Sequence, residues 1–481
     1  MFKNGLPATT SARKSPKYDR QKLEWEMINV LLGGTGEIRK HTKYLPQHKN
    51  ESNDQYKMRL SKAVLAPFFK RTVNFATGKA FYKAVQINPA EEFEIDDELQ
   101  AVINDADRKN NSLNTFANLS FRDSWAKGMG FIYVEAPAYD PAQIKNEEQR
   151  RKLDIRPYLV YVEPEKLLDV VTDGNGKIIY AKMLEAFTEF DPQRQATVEN
   201  TRIRIVTPDW IGIYERDATI ASSEAGGYTM KQDPMENRIG VVPLVPIYTG
   251  ELKTDFECVS ALIDLAYTNV QYYQDESTHE TAISAAEFPI LCLKGGKGAD
   301  TNVGPFKMIS ISDPAGDLKY VEHSGAALEA GRKNLEELRV KLAYCGLKSL
   351  TTDSGRGRTV TATEAKLDSI DSNSDLKVAT DNYADALAMA LWYAQRYMGK
   401  VAAEDQLNLS VKIDGMFSIT SDDVKELAAL MELEEKGSIR LQTLFKELKR
   451  RNVFSDDFDI QSEVDFAAEN SDLSGRIEPL E

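Results

Sequence analysis

Residues 240–287 read GVVPLVPIYTGELKTDFECVSALIDLAYTNVQYYQDESTHETAISAAE, and residues 326–347 read AALEAGRKNLEELRVKLAYCGL. In the first stretch, an extended run broken by Pro243 and Pro246 gives way to helical spacing. Val259, Ile263, Ala266, Val270 and Tyr273 recur at alternating four- and three-residue steps, which predicts a packing seam on one helix over residues 254–287. At about 1.5 Å per residue such a rod is roughly 50 Å long, more than the core of one compact domain needs. Its second half is small and polar (Ser277, Thr278, Thr281, Ala282, Ser284, Ala285, Ala286), so neighbouring backbones can come close. In the second stretch Leu328, Leu335 and Leu342 repeat at seven, as do Leu338 and Cys345. That is an a/d seam, and it predicts a second rod over residues 326–347. Its polar face mixes signs: Glu329, Arg332, Lys333, Glu336, Glu337, Arg339 and Lys341. The simplest partner for its seam is the first rod, or a copy of itself in a neighbouring subunit.

Between the rods, residues 289–293, 306–310 and 318–321 read as short strands, with turns at 295–298 and 313–316. After the second rod comes a polar, locally basic segment, 350–359, containing Asp353, Ser354, Arg356, Arg358 and Thr359. Thr361-Ala-Thr-Glu364 then reads as a capping box opening a third long helix, which runs to about residue 397 and ends at Gly399.

The flanks complete an α+β, predominantly helical fold class. Residues 1–22 are basic and rich in Ser and Thr, which predicts a flexible arm. Helical spacing marks 23–32, 52–79 and 113–127, the second broken by Pro67. Residues 131–135, 156–162, 178–184, 202–206 and 210–214 read as a small mixed sheet, and 407–413 as a further strand. A helical hairpin over 422–436 and 439–450 turns at Gly437-Ser438, and an acidic tail follows.

The 481 residues suggest two or three domains. A net charge of -15 argues against tight nucleic-acid binding, which needs clustered Lys and Arg, but does not exclude a protein that lets DNA slide past. Cys258, Cys292 and Cys345 have neither disulfide-framework nor metal spacing. No apolar run is long enough to span a bilayer, and no secretory signal is visible at the N-terminus. The Gly-rich runs 33–36 and 295–298 lack the GK[ST] ending of a phosphate loop. His41, His48, His279 and His323 show no zinc-helix spacing, and no nucleophile elbow accompanies them. No catalytic, cofactor-binding or metal-binding residue is therefore expected.

The order of parts resembles the tailed-bacteriophage portal proteins, the head-to-tail connector family. Three passages carry the resemblance: Gly240-Val-Val-Pro-Leu-Val-Pro leading to Ala261-Leu-Ile-Asp-Leu265; Thr361-Ala-Thr-Glu364 after a Ser/Gly/Arg loop; and Glu434-Glu-Lys-Gly-Ser-Ile439 through Leu448-Lys-Arg-Arg-Asn-Val-Phe454. The resemblance covers about residues 50–465 and lies more in architecture than in invariant residues. It implies a portal-like fold with wing, stem, clip and crown regions, assembled as a homo-oligomeric ring, usually a dodecamer, at one capsid vertex. Carried over, 1–22 is an arm, 23–253 the wing, 254–287 and 326–349 the two stem helices, and 288–325 the clip. Residues 350–360 are then the tunnel loop, 361–417 a long wing helix and strand, 418–465 a helical crown, and 466–481 an acidic tail. The loop donors Asp353, Ser354, Arg356, Arg358 and Thr359 would lie nearest the DNA. Val259, Ile263, Val270, Leu328, Leu335 and Leu342 would pack the stem. The implied partners are double-stranded DNA, the terminase motor, a head-tail adaptor, and the major capsid and scaffolding proteins, with no membrane and no cofactor. The implied location is the virion, reached through the host cytoplasm. Two other classes stay open: another virion structural or scaffolding protein, and an enzyme using some of the 75 carboxylates, although no spacing selects a catalytic dyad.

Overall fold

The computed structural model describes residues 2–3, 5–90, 93–137, 154–192, 195–216, 227–286, 290–294, 317–321, 325–346, 362–402, 406–415, 429–434, 436, 439–450 and 458–466. The chain forms two compact units, residues 1–361 with 367–415, and residues 362–366 with 416–481.

The first unit opens on three two-residue strands, β1 (Phe2–Lys3), β2 (Leu6–Pro7) and β3 (Thr9–Thr10), and helix α1 (Pro16–Gly33). Ser15 caps α1 through the Tyr18 amide, and Pro16 stands where no backbone donor is needed. This corrects the expectation of a flexible arm over 1–22, and of a helix starting only at residue 23. Two basic residues of this segment have distant partners: Arg20 forks onto Glu257 at 2.7 and 2.8 Å, and Lys17 donates to the Asp255 carbonyl at 2.7 Å. Helix spacing could not reveal this, because those partners lie more than 230 positions away.

The single helix expected over 52–79 is two, α3 (Asn53–Lys62) and α4 (Phe68–Ala80), with Pro67 at the break. α3 opens with a reciprocal capping box between Ser52 and Gln55. The short α2 (Thr35–Ile38) precedes them, and β4 (Gln86–Pro89) and α5 (Asp97–Asn104) follow. α6 (Leu113–Lys127) has the bounds expected from its pattern and ends on Gly128 in the left-handed region.

Two sheets stack beyond the helices. One is three-stranded, in the order β13 (Leu244–Tyr248), β5 (Met129–Glu135), β6 (Tyr158–Val162). The other runs β3, β11 (Tyr228–Met230), β10 (Trp210–Arg216), β9 (Ala196–Val206), β8 (Ile178–Asp191), β7 (Leu167–Thr172), with β12 (Met235–Glu236) beside β10. Phe131, Tyr133, Val162, Met183, Val206 and Leu244 from the two sheets share one core with Tyr18 and Trp25 of α1. β8 extends seven residues past the expected 178–184, paired with β9 as far as Asp191 opposite Ala196. That extension is half solvated (Phe190 is 63% exposed), so it lacks the apolar alternation that marks a buried strand.

The first rod is Ile263–Ala286, not 254–287. Residues before it form a hairpin, β14 (Glu251–Thr254) and β15 (Glu257–Val259), turning at Phe256 with φ +60°. Val259 thus belongs to a strand and not to the rod. The hairpin is held from afar: the Gln21 side chain accepts from the Cys258 amide at 2.9 Å and donates to the Phe256 carbonyl at 3.1 Å. The third long helix spans Ala362–Tyr397. Its Tyr383 meets Phe81 of the α4 end and Phe121 of α6 edge-on, and the Tyr383 and Ser120 hydroxyls bond at 2.6 Å. β18 (Leu409–Lys412) pairs with β4.

In the second unit the helix Leu441–Arg450 buries Leu444 and Leu448, and Phe445 sits edge-on to Phe458. Residues 429–434 are helical, within the expected 422–436. Residue 436 is a turn, whereas residues 422–428 and 435 of that helix, the strand expected at 306–310, the turns at 295–298 and 313–316, and most of the acidic tail lie outside the described residues.

Candidate functional site

The two rods and the strands between them form the feature around which a function can be built. Strands β16 (Ile290–Lys294) and β17 (Asp317–Val321) pair antiparallel, Ile290 opposite Val321 and Lys294 opposite Asp317. They follow the first rod and precede the second, Ala326–Cys345.

The proximal half of the first rod is anchored in the body. At the break at Pro67 one side chain meets both the Phe69 amide and the Ala66 carbonyl, which also accepts from the Phe68 amide at 2.9 Å. Asn269 donates to Ala66 O and accepts from Phe69 N, each at 3.0 Å, and is itself buried. Phe68 sets its ring edge-on to Tyr272, and Gln274 donates to the Tyr44 carbonyl. Sequence reasoning missed Asn269; the available signal was a polar residue inside the apolar stripe.

The rods run antiparallel against each other. Leu265 approaches Gly346, Arg339 donates to the Tyr272 hydroxyl at 3.0 Å, Asn334 donates to Asp275 at 3.0 Å, and Gly331 abuts His279. As one index rises the other falls. Leu335, Leu338 and Leu342 are buried in the seam, while Leu328 is half-buried near the distal end. Val270 is buried against the body, and Ile263 is half-buried at the first rod's start. Gly331 occupies the d position one heptad before Leu338, a part of the repeat that the apolar pattern hides. A Cβ there would stand 2.6 Å from His279 Nδ1, so the glycine sets how closely the rods approach.

Electrostatics inside the pair is modest. Burial raises the Glu276 carboxyl, which accepts from Tyr272 at 2.9 Å, and burial raises the Cys345 thiol, with Asp264 adding to the effect. Arg332 bridges Glu329 and Glu336 in solvent, a trio worth little to stability.

A cleft of about 720 Å³ opens between the distal half of the first rod and the segment leading into α3. Ser277, Glu280, Thr281, Ile283 and Ser284 form one wall, and His48, Lys49, Met58 and Lys62 stand on the other. The second wall is braced by Arg59, which forks onto Glu51 at 2.7 and 2.8 Å with both side chains almost fully covered. The Arg59 bond holds the Glu51 carboxyl down at about 2. A carboxyl lowered on folding stabilises above its unfolded pKa and loses that contribution as pH falls. We therefore expect Glu51→Gln to cost about 3 kcal/mol at pH 7, since it leaves Arg59 buried without its counter-charge. The gap from the parent should shrink below about pH 4.5 and close near pH 2, measured by urea unfolding at several pH values. A gap independent of pH would show that the pair does not brace the wall.

Of the residues expected at a DNA channel, Asp353, Ser354, Arg356, Arg358 and Thr359 lie outside the described residues, as does His323. His41 lies against Glu26 and Glu37, His48 lines the cleft, and His279 packs on Gly331; the structure does not bring these three together. Among the described residues no group of three or more His, Cys, Asp or Glu is placed to hold a metal ion, and no helix is long and apolar enough to cross a membrane.

Residues 261–398, which include both rods, β16, β17 and the whole of the long helix, match the model of a domain of unknown function, DUF4055. No curated protein matches the chain. Among solved structures, the chain is similar to one from the neck of an empty GTA particle, computed with C6 symmetry, at 11% identity and a TM-score of 0.43, covering 81% of this chain and 90% of that one. It is also similar to one from the neck of the native GTA particle, computed with C12 symmetry, at 11% identity and a TM-score of 0.41, covering 82% and 92%. A third, from the virion of the native gene transfer agent particle, has 12% identity and a TM-score of 0.41, covering 81% and 91%.

Proposed function

We propose that this chain is a portal-type head-to-tail connector: a ring-forming virion protein that lets double-stranded DNA pass through its centre. The observation that carries this reading is the pair of rods. They bury Leu335, Leu338 and Leu342 in the seam between them, yet leave Val340 70% and Tyr344 73% exposed on the second rod. Covering a side chain of this size is worth about 1.5–3 kcal/mol, so the pair has apolar surface to offer a neighbour. In this reading the rods are the stem, β16 and β17 belong to the clip that meets the packaging motor and then the adaptor, and residues 350–360 are the tunnel loop. The acidic balance of the chain supports it as well. Affinity for DNA rises steeply with each phosphate contact, and a conduit must not hold what it conducts.

Native mass spectrometry and negative-stain class averages of the purified chain test the ring. The expected result is a closed oligomer of about twelve copies; a monomer or an open filament would sink the proposal. Deleting residues 352–358 should leave the ring intact and lower DNA packaging, read as nuclease-protected DNA per particle. Loss of the ring in that variant would make the loop structural.

A further inference from the structure

The cleft and the exposed edge of the second rod lie on opposite sides of one two-helix ribbon. At about 100° per residue, Leu265, Tyr272, Asp275 and His279 mark the side of the first rod that faces the second. Ser277, Glu280, Thr281 and Ser284, which line the cleft, point about 150° away from that side. On the second rod, Val340 and Tyr344 point roughly opposite to the seam residues Leu338, Leu342 and Cys345. Across the ribbon the order is therefore cleft, first rod, second rod, exposed edge.

The two outer surfaces are chemically matched. The cleft exposes Met58 (60%) beside Thr281 and Ser284, and the edge exposes Val340 and Tyr344. The Ser277 hydroxyl at the cleft is buried and has no hydrogen-bond partner among the described residues. Lys49 and Lys62 stand at the cleft, and Glu337 stands beside Val340; none has an ion-pair partner among the described residues. Glu280 at the cleft and Lys333 on the edge are likewise opposite in charge. A surface on one side that fits a different surface on the other makes a head-to-tail contact, and such contacts close into rings.

We propose that the cleft is the docking site for the second rod of an adjacent copy, with Val340 and Tyr344 seated against Met58, Thr281 and Ser284. This rests on the ring reading above and names the contact that builds the ring. It has a geometric consequence. Because Arg339 stands opposite Tyr272, Tyr344 is level with about residue 267 of its own first rod, whereas the cleft spans residues 277–284. The docked rod must sit about 15–25 Å farther along, so the rods lean across the ring axis and do not stand parallel to it.

The test replaces Tyr344 with the photo-cross-linker p-benzoylphenylalanine in the full chain, using mixed isotopically light and heavy copies and peptide mapping after irradiation. The expected result is cross-links from position 344 into residues 48–62 or 277–284 of a different copy. Rings whose cross-links map elsewhere, or that yield none between copies, overturn the docking and leave the ring reading intact. A parent chain that forms no ring overturns both. If the cross-linker variant alone fails to assemble, a charge exchange decides. Lys62→Glu and Glu337→Lys should each raise the concentration of half-assembly about fivefold, and the double variant should restore it. Additive losses overturn the pairing.

Discussion

Arg204→Met should cost about 3 kcal/mol of unfolding free energy, the low end of what removing one partner from a buried ion pair costs. Arg204 sits on β9 with 1% of its surface exposed, between the two sheets. Its guanidinium reaches Glu135 of β5 at 2.9 Å and Glu185 of β8 at 2.5 Å, and lies over the Tyr133 ring at 5.5 Å. Burial pushes the Glu185 carboxyl up, yet Arg204 and Arg202 more than offset this and hold it below its ordinary value. Removing the guanidinium leaves two carboxylates at the sheet interface, with only Arg202 close to Glu185. Both carboxylates keep some contact with water, which is why the low end applies. Arg204→Lys should recover only part of the loss, because one ammonium cannot fork to two carboxylates and stack on a ring at once. The urea midpoint measures it, and a loss under about 1 kcal/mol would mean that the network is dispensable. Acid should narrow the gap. Glu185 is lowered on folding, so its contribution is present above the unfolded carboxyl pKa and fades as pH falls below it.

Gly128→Ala should cost nearly as much, about 3 kcal/mol, through the backbone. Gly128 ends α6 at φ +85°, where an L side chain costs about 1–2 kcal/mol. Its new Cβ would lie 2.8 Å from the Ser260 nitrogen and 2.9 Å from its Cα. Backbone cannot swing aside as a side chain does. The Gly128 carbonyl also accepts from the Thr249 and Gly250 amides at 2.9 and 2.8 Å and from the Cys258 thiol at 3.1 Å. The substitution should therefore loosen the β14–β15 hairpin that leads into the first rod. Hydrogen exchange at Gly250 and Cys258 reads that loosening directly. Gly174→Ala, in an open turn with nothing within 4 Å of its new Cβ, should stay within about 0.5 kcal/mol of the parent and serves as the control. Equal costs at the two positions would show that the close approach to Ser260 is relieved by movement elsewhere.

Local signals in the sequence carried far where the cause of structure is itself local. The α6 bounds, the break at Pro67, the hairpin between β9 and β10, and the Leu335–Leu342 seam all follow from spacing, capping and ring chemistry within a few residues of one another. The same signals misled where distant partners decide. Val259 continues the stripe of the first rod in sequence, yet Gly128 and Gln21 draw residues 251–259 into a hairpin and the helix waits until Ile263. The basic N-terminal segment has the composition of a solvated arm, but Glu257 and the Asp255 carbonyl fix it. Of the candidate site, the rods and their seam were legible, whereas Asn269, Gly331 and the cleft were not, since each is defined by what faces it.

By itself, then, the sequence determined that two amphipathic rods flank a strand-bearing insert in an acidic chain, because periodicity needs only neighbours one turn apart. Tertiary structure decided where the first rod starts, which charges are buried between the sheets, and that the ribbon has a cleft on one side and an apolar edge on the other. Those properties arise from surfaces meeting across hundreds of residues, and no local spacing encodes them.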